Sequence, residues 1–156
     1  MLKDTHPIAL FIPAVVGVAA ILCTILIHAI PLAATIRFVR RERRLGHAGV
    51  HFWSDTAIVM RAMAYALAAH LIEMAFWAAL FMLCGEFSDF GTAYYHSAVN
   101  YTSLGYGDND ITMSPAWKLL APLETANGML LFGVSAAMIF TITQRLVQLR
   151  FSDLKE

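Results

Sequence analysis

Three long apolar runs alternate with short polar segments along the chain. The first run, 8–36, contains no Asp, Glu, Lys or Arg, and the second and third, 57–85 and 117–146, carry only scattered charges. An α-helix rises about 1.5 Å per residue, so about 20 apolar residues cross the ~30 Å hydrocarbon layer of a bilayer. All three runs exceed that length. The pattern therefore predicts three transmembrane helices.

The first run is also too long to be a cleaved signal peptide. The apolar region of such a peptide spans about 15 residues at most and follows positive charges, whereas the positive cluster here comes after 8–36. We therefore expect 8–36 to be a retained N-terminal helix. Pro31 lies near its end and is expected to kink or terminate it.

A dense group of arginines directly follows the first run: Arg37, Arg40, Arg41, Arg43 and Arg44. Positive charges next to a span mark the cytoplasmic side, so we expect the N-terminus outside and the C-terminus in the cytoplasm of a multi-pass inner-membrane protein. Segment 37–56 is interpreted as a basic cytoplasmic linker and 147–156 as a short cytoplasmic tail. The arginine spacing does not suit a voltage sensor, but the cluster is a candidate contact for anionic lipid.

A shorter apolar and aromatic segment, 90–102, lies between the second and third runs. Its thirteen residues are too few to span a bilayer but suit a re-entrant helix. Ser88 or Asp89 is the expected N-cap. The helix would then start at the outer surface and end inside the membrane, so that the negative end of its dipole faces the membrane interior.

Segment 103–108 follows this short helix and reads Ser-Leu-Gly-Tyr-Gly-Asp. Backbone without helical hydrogen bonds is tolerated at membrane depth only where protein buries it or where it lines a water-filled path. Rings of backbone carbonyls in such a segment can replace the hydration shell of an ion. We therefore interpret 103–108 as a selectivity filter within a pore domain, 57–146.

Among the ionisable residues inside the predicted spans, three need partners there: His70, Glu73 and Glu124. Such groups at membrane depth are costly and by default suggest a function. Two roles stay open for them: structural support of the filter by hydrogen bonding, and pH sensing. Gly128 and Gly133, in the third span, likewise allow two roles, close helix packing and a gating hinge.

A membrane enzyme with a histidine metal site is an alternative class. It would use His28, His70, His96 and Glu73, which lie on different elements and form no H-x-x-x-H pair. We therefore expect neither an enzyme nor an organic cofactor.

The composition agrees with a membrane protein of one domain. The 156 residues are 59% hydrophobic and 14% charged, with no net charge, and the mean hydropathy is +0.64. Cys23 and Cys84 lie in different apolar runs, so the cysteines indicate neither a disulfide framework nor a zinc site. No basic face suggests nucleic acid. The expected fold is an all-α membrane protein.

The segment 94–108 resembles the pore helix and filter of potassium channels, whose signature is Thr-Val-Gly-Tyr-Gly-Asp. More broadly, 70–146 is similar to the small bacterial two-helix "ion channel" family. A His-Leu-x-Glu segment precedes the pore loop in that family, as at His70 and Glu73, and a Leu-Glu-x-x-Asn-Gly segment opens its inner helix, as at 123–128. The first span is an addition to that minimal unit.

The resemblance implies a homotetramer with potassium as the permeant ligand. The expected K⁺ ligands are the hydroxyl of Ser103 and the carbonyls of Ser103, Leu104, Gly105 and Tyr106. Gly105 and Gly107 would supply backbone angles that suit glycine, and Asp108 would concentrate cations at the outer mouth.

Two residues depart from the potassium-channel signature, Ser103 in place of threonine and Leu104 in place of valine. The expected function is a potassium-selective channel without a voltage sensor or ligand-binding domain. A non-selective monovalent cation channel and a non-conducting channel-like subunit stay open as alternatives.

Overall fold

A computed structural model describes residues 7–103 and 113–152 of the chain. These residues contain four α-helices and no β-strand. The helices are α1 (Pro7–Arg44), α2 (Phe52–Leu83), α3 (Phe90–Tyr101) and α4 (Leu120–Ser152). Helices α1, α2 and α4 are long and apolar enough to cross a membrane. The predicted all-α fold with three spans and a short helix between the second and third is confirmed.

The first helix extends further than predicted. It continues through Pro31 and the arginine group and ends at Arg44, so the first eight residues of the predicted linker 37–56 are helical. Arginine favours helical structure, and cations in the last turn interact favourably with the helix dipole. The Thr35 hydroxyl donates to the carbonyl of Pro31 at 2.8 Å. The expectation that Pro31 ends the helix is wrong.

The bounds of the other helices also differ from the prediction. Helix α2 begins at Phe52 rather than at residue 57. Its first turn carries Asp55, and a negative charge stabilises a helix N-terminus. It ends at Leu83, where Gly85 adopts a φ of 77° and closes a glycine C-cap. Helix α3 ends one residue before its predicted end. Helix α4 spans 120–152 rather than 117–146.

The described residues form two compact units. The first consists of 7–26 and 71–131, apart from the undescribed 104–112, and contains all of α3. Its core is aromatic and aliphatic: Trp77, Phe81, Tyr101 and Leu120 are all fully buried.

The second unit consists of 27–70 and 132–152. Its core contains Ile58, Ala62, Ile142 and Leu146. An ion pair joins the start of α2 to the end of α4, with Arg150 Nη2 at 2.5 Å from Asp55 Oδ2. The other carboxylate oxygen of Asp55 accepts from the backbone N–H of Gly49 at 2.7 Å. One carboxylate therefore fixes three segments of this unit.

Candidate functional site

The candidate site is built around α3, whose N-terminus is capped by Asp89. Asp89 Oδ2 accepts from the backbone N–H of Thr92 at 2.8 Å and from the Thr92 hydroxyl at 3.1 Å. Both hydrogen bonds lower the pKa of the Asp89 carboxyl below its usual value, and the bond from the backbone N–H has the larger effect. Asp89 is one of the two residues predicted for this position, so the cap is confirmed.

The C-terminal end of α3 is also well bonded. The Thr102 N–H and hydroxyl both donate to the carbonyl of Ala98, at 3.1 and 2.6 Å. The carbonyl of Asn100 accepts from the Ser103 N–H at 2.9 Å and from the Thr125 hydroxyl of α4 at 2.9 Å. The last carbonyls of a helix lack intrahelical partners. Here the capping residues and α4 supply them.

Ser103 leaves α3 in the left-handed region, with a φ of 56°. Among the described non-glycine residues, Ser103 alone has a positive φ. This conformation is common just after a helix C-terminus, where it turns the chain away from the helix axis. The chain therefore changes direction sharply at Ser103, the first residue of the predicted filter.

The last residue of α3 is bonded to the middle of α2. The Tyr101 hydroxyl donates to Glu73 Oε2, and both side chains are fully buried. A buried carboxylate is costly without hydrogen-bond donors, and Tyr101 supplies one. This bond gives Glu73 a structural partner on the short helix.

A second buried carboxylate bonds the middle of α3. Ser97 Oγ lies 2.8 Å from the Met74 carbonyl and 2.5 Å from Glu124 Oε1. A hydroxyl has one proton to donate, and a backbone carbonyl can only accept. Both contacts are hydrogen bonds at once only when Glu124 carries a proton and donates it to Ser97. The geometry therefore suits a neutral carboxyl group at Glu124.

Helix α4 lies close to the end of α3 at Gly128. A Cβ at this position would collide with the carbonyl oxygen of Tyr101 and would lie 3.2 Å from Cδ1 of its ring. Of the two roles open for Gly128, close packing is what the structure shows. A Cβ at Gly133 would have nothing within 4 Å, so packing in the described chain does not require that glycine.

The first helix is bonded to α4 beside this site. The Asn127 side-chain amide donates to the Thr24 hydroxyl at 2.8 Å, and both side chains are buried. A Cβ at Gly17 would press on the side chains of Leu120 and Leu123. The additional N-terminal helix therefore packs directly against the helix that bears Glu124.

The structure brings only some of the predicted site residues together. Two of them contact α3: Glu73 bonds the Tyr101 side chain, and Glu124 bonds the Ser97 side chain. His70 lies in the second unit, with its Nε2 at 3.1 Å from Ser135 Oγ. Of the predicted filter, Ser103 is described. The remaining filter residues lie outside the described residues: Leu104, Gly105, Tyr106, Gly107 and Asp108.

Several partners in this site were not identified from the sequence. They are Ser97, Tyr101, Thr24 and Asn127, all fully or almost fully buried. The available signal was weak: a polar side chain inside an otherwise apolar helix needs a hydrogen-bond partner. Asn127 gave that signal most clearly, because an amide has several donors and acceptors to satisfy.

Comparison with known protein families gives a match for about half of the chain. The family described as "Ion channel" matches residues 69–145, which contain α3 and both buried carboxylates. This segment belongs to the ion-channel family. The ion-channel domain begins near the middle of α2, so α1 lies outside the match. Comparisons with curated proteins and with solved structures give no match.

The match supports an ion-channel function for this domain, and three helices that are able to span a bilayer agree with a membrane protein. The described part of the ion-channel domain provides a short helix fixed at both ends between two spanning helices.

Proposed function

We propose that the protein is a potassium-selective channel that conducts K⁺ passively through a filter formed by residues 103–108. One observation carries this proposal. The sequence Ser-Leu-Gly-Tyr-Gly-Asp directly follows the C-terminal end of α3, and buried hydrogen bonds from Glu73 and Glu124 hold that helix within an ion-channel domain.

The proposed filter uses backbone carbonyls to replace the hydration shell of the ion. The ligands would be the Ser103 hydroxyl and four carbonyl oxygens, those of Ser103, Leu104, Gly105 and Tyr106. Gly107 would provide backbone freedom, and Asp108 would concentrate cations at the outer mouth. The C-terminal, negative end of the α3 dipole lies next to this segment in the sequence and favours a cation there.

The hydrogen bonds around α3 support this role, because a filter must hold its ligands at fixed distances. Tyr101 and Ser97 are the residues of α3 that bond the two buried carboxylates. Side chains locked by packing and hydrogen bonds hold a site more precisely than exposed loops do. We assign Glu73 and Glu124 to filter support rather than to coordination of the ion.

The channel is proposed to be a homotetramer. A single segment 103–108 cannot surround an ion, and closed symmetric assembly around the pore axis provides the missing ligands. Trp77 Nε1 and His96 Nε2 are buried and have no hydrogen-bond partner within the described residues. Buried polar atoms are nearly always paired, so this favours partners outside those residues.

The membrane orientation is proposed from the charges. The N-terminus is placed outside, and the C-terminus is placed in the cytoplasm of an inner-membrane protein. The arginine group at the end of α1 is proposed to contact anionic lipid. Gly133 is proposed as a hinge of α4, since packing leaves its Cβ position open.

The direct test is cation flux into liposomes that contain the purified protein. We expect K⁺ flux that barium blocks, and native mass spectrometry should show tetramers. Gly105→Ala should abolish the flux because a side chain there disturbs the filter backbone. Tyr95→Phe, a conservative change at a side chain that is 52% exposed, serves as the control in the same domain.

Each alternative has its own outcome in this experiment. Equal Na⁺ and K⁺ flux would contradict selectivity and favour the non-selective channel, to which the departures at Ser103 and Leu104 point. Intact tetramers without any cation flux would contradict conduction and favour a non-conducting subunit.

A further inference from the structure

A pocket that contains both a carboxylate and a guanidinium lies between the end of α1 and the start of α2, within the second unit. Its volume is about 260 Å³. The described residues that line it include Phe38, Glu42, His47, Ser54 and Arg61. The five arginines at the end of α1 are not among these lining residues. The pocket is therefore distinct from the arginine group.

Glu42 supplies the carboxylate of the pocket. The exposed fraction of its side chain is 16%, and its Oε2 lies 2.9 Å from Nδ1 of His47. The neutral and the charged imidazole can both donate to a carboxylate. Within the described residues, no donor bonds the other oxygen, Oε1. A largely buried carboxylate is costly without hydrogen-bond donors, so Glu42 favours a ligand that brings one.

Arg61 supplies the guanidinium. Its Cζ lies 5.3 Å from the centroid of the Phe38 ring, within the ~6 Å reach of a cation–π contact. No described ion pair includes Arg61. Its five N–H donors form a fork that matches the oxygens of a phosphate. The aromatic ring thus holds the guanidinium in place, and its donors favour an anionic group.

The position of the pocket along the helices favours the headgroup of a lipid as the ligand. The apolar run 8–36 ends two residues before Phe38, and the apolar run 57–85 begins four residues before Arg61. Two spans therefore pass from apolar to polar sequence at this level, where the headgroups of a bilayer lie. Arginine side chains reach from apolar surface toward that layer.

We propose that this pocket binds the headgroup of a phospholipid that carries a primary ammonium, as phosphatidylethanolamine does. The phosphate accepts hydrogen bonds from Arg61, with the Ser54 hydroxyl beside it, and the ammonium donates to Oε1 of Glu42. A headgroup without an N–H donor would use Arg61 but leave Oε1 unsatisfied. The inference rests on the helices of the proposed channel spanning a bilayer and not on conduction.

The test is lipid binding to the purified full-length protein in detergent, measured by native mass spectrometry. The probes are phosphatidylethanolamine, phosphatidylcholine and phosphatidylglycerol with identical acyl chains. Phosphatidylcholine keeps the phosphate and the positive charge but has no N–H donor, and phosphatidylglycerol has no cation. We expect the parent to bind phosphatidylethanolamine about tenfold more tightly than phosphatidylcholine, the effect of roughly one hydrogen bond to a charged group.

Two variants separate the two contacts. Glu42→Gln should remove most of the preference for phosphatidylethanolamine without weakening the binding of phosphatidylglycerol. Arg61→Gln should weaken the binding of all three lipids. The control is Arg145→Gln, which removes the same charge at an exposed position of α4 outside the pocket, and it should bind as the parent does. The arginine group is present in every variant, so its own lipid contacts cancel in the comparison.

Equal binding of phosphatidylethanolamine and phosphatidylcholine by the parent would overturn the proposal, and this comparison decides the matter even where a variant fails to fold. So would equal binding of phosphatidylethanolamine by the variants at Glu42, Arg61 and Arg145. The readout needs no ion flux, so its failure is distinguishable from a failure of the proposed channel function.

Discussion

The Tyr101 hydroxyl donates a hydrogen bond to the Glu73 carboxylate, although the two residues are 28 positions apart. Tyr101 is the last residue of α3, and Glu73 lies in the middle of α2. Both are fully buried. The bond fixes the end of α3 from which the proposed filter departs, so it links a buried carboxylate to the geometry of the filter.

Tyr101→Phe removes the donor and leaves the buried carboxylate with one hydrogen bond fewer. We expect a loss of about 1–3 kcal/mol in the free energy of unfolding, because an unsatisfied buried polar group costs that much. Thermal unfolding of the purified protein in detergent measures the loss. The control is Tyr95→Phe on the same helix, where the side chain is 52% exposed. Equal stability of the two variants would show that the bond contributes nothing.

Glu124→Gln should be tolerated, whereas Glu124→Leu should not. The glutamine amide can donate to Ser97 Oγ as a protonated carboxyl group does, while leucine provides no donor. We expect Glu124→Leu to lower the unfolding temperature clearly more than Glu124→Gln, and to reduce K⁺ flux. If Glu124→Gln were as damaging as Glu124→Leu, the neutral carboxyl group inferred at this position would be wrong.

The helices of this protein were predictable because their signals are local. Runs of apolar residues determine the spans, and Asp89 has the side chain that an N-cap requires. The end of α1 was misjudged because helices continue past the apolar run when the following residues, such as Arg43 and Arg44, favour helical structure.

The partners inside the site were not predictable in the same way. Whether Glu73 meets Tyr101, or Asn127 meets Thr24, depends on how the helices are rotated and tilted against each other. Neighbouring helices determine that geometry, and hydropathy does not. His70 shows the limit clearly: its Nε2 lies 3.1 Å from the hydroxyl of Ser135, a residue 65 positions away that no local pattern singles out.

Gly128→Ala should destabilise the protein, whereas Gly133→Ala should not. The new Cβ at Gly128 meets the backbone of Tyr101, which cannot move without displacing the end of α3. A new Cβ at Gly133 has no atom within 4 Å. Overpacking of this kind costs about 1–3 kcal/mol, whereas alanine stabilises a helix interior by up to about 1 kcal/mol relative to glycine. Thermal unfolding of the two purified variants makes the comparison. Similar behaviour of the two variants would contradict the close approach at Gly128.

The hydrogen bond between Thr24 and Asn127 should couple the first helix to the ion-channel domain. Thr24→Val, Asn127→Leu and the double variant form a double-mutant cycle. We expect a coupling of about 1 kcal/mol, the usual size for polar contacts between membrane helices. Unfolding of the three variants and the parent measures it. Strictly additive effects would mean that the two side chains act separately.

The central claim is that residues 103–108 select potassium, and the most direct measurement is the reversal potential in planar bilayers with K⁺ on one side and Na⁺ on the other. Each tenfold preference in permeability moves this potential by about 59 mV for a monovalent ion. We predict a displacement of more than one such step toward the potassium equilibrium potential. A measurable cation current that reverses at zero would contradict potassium selectivity.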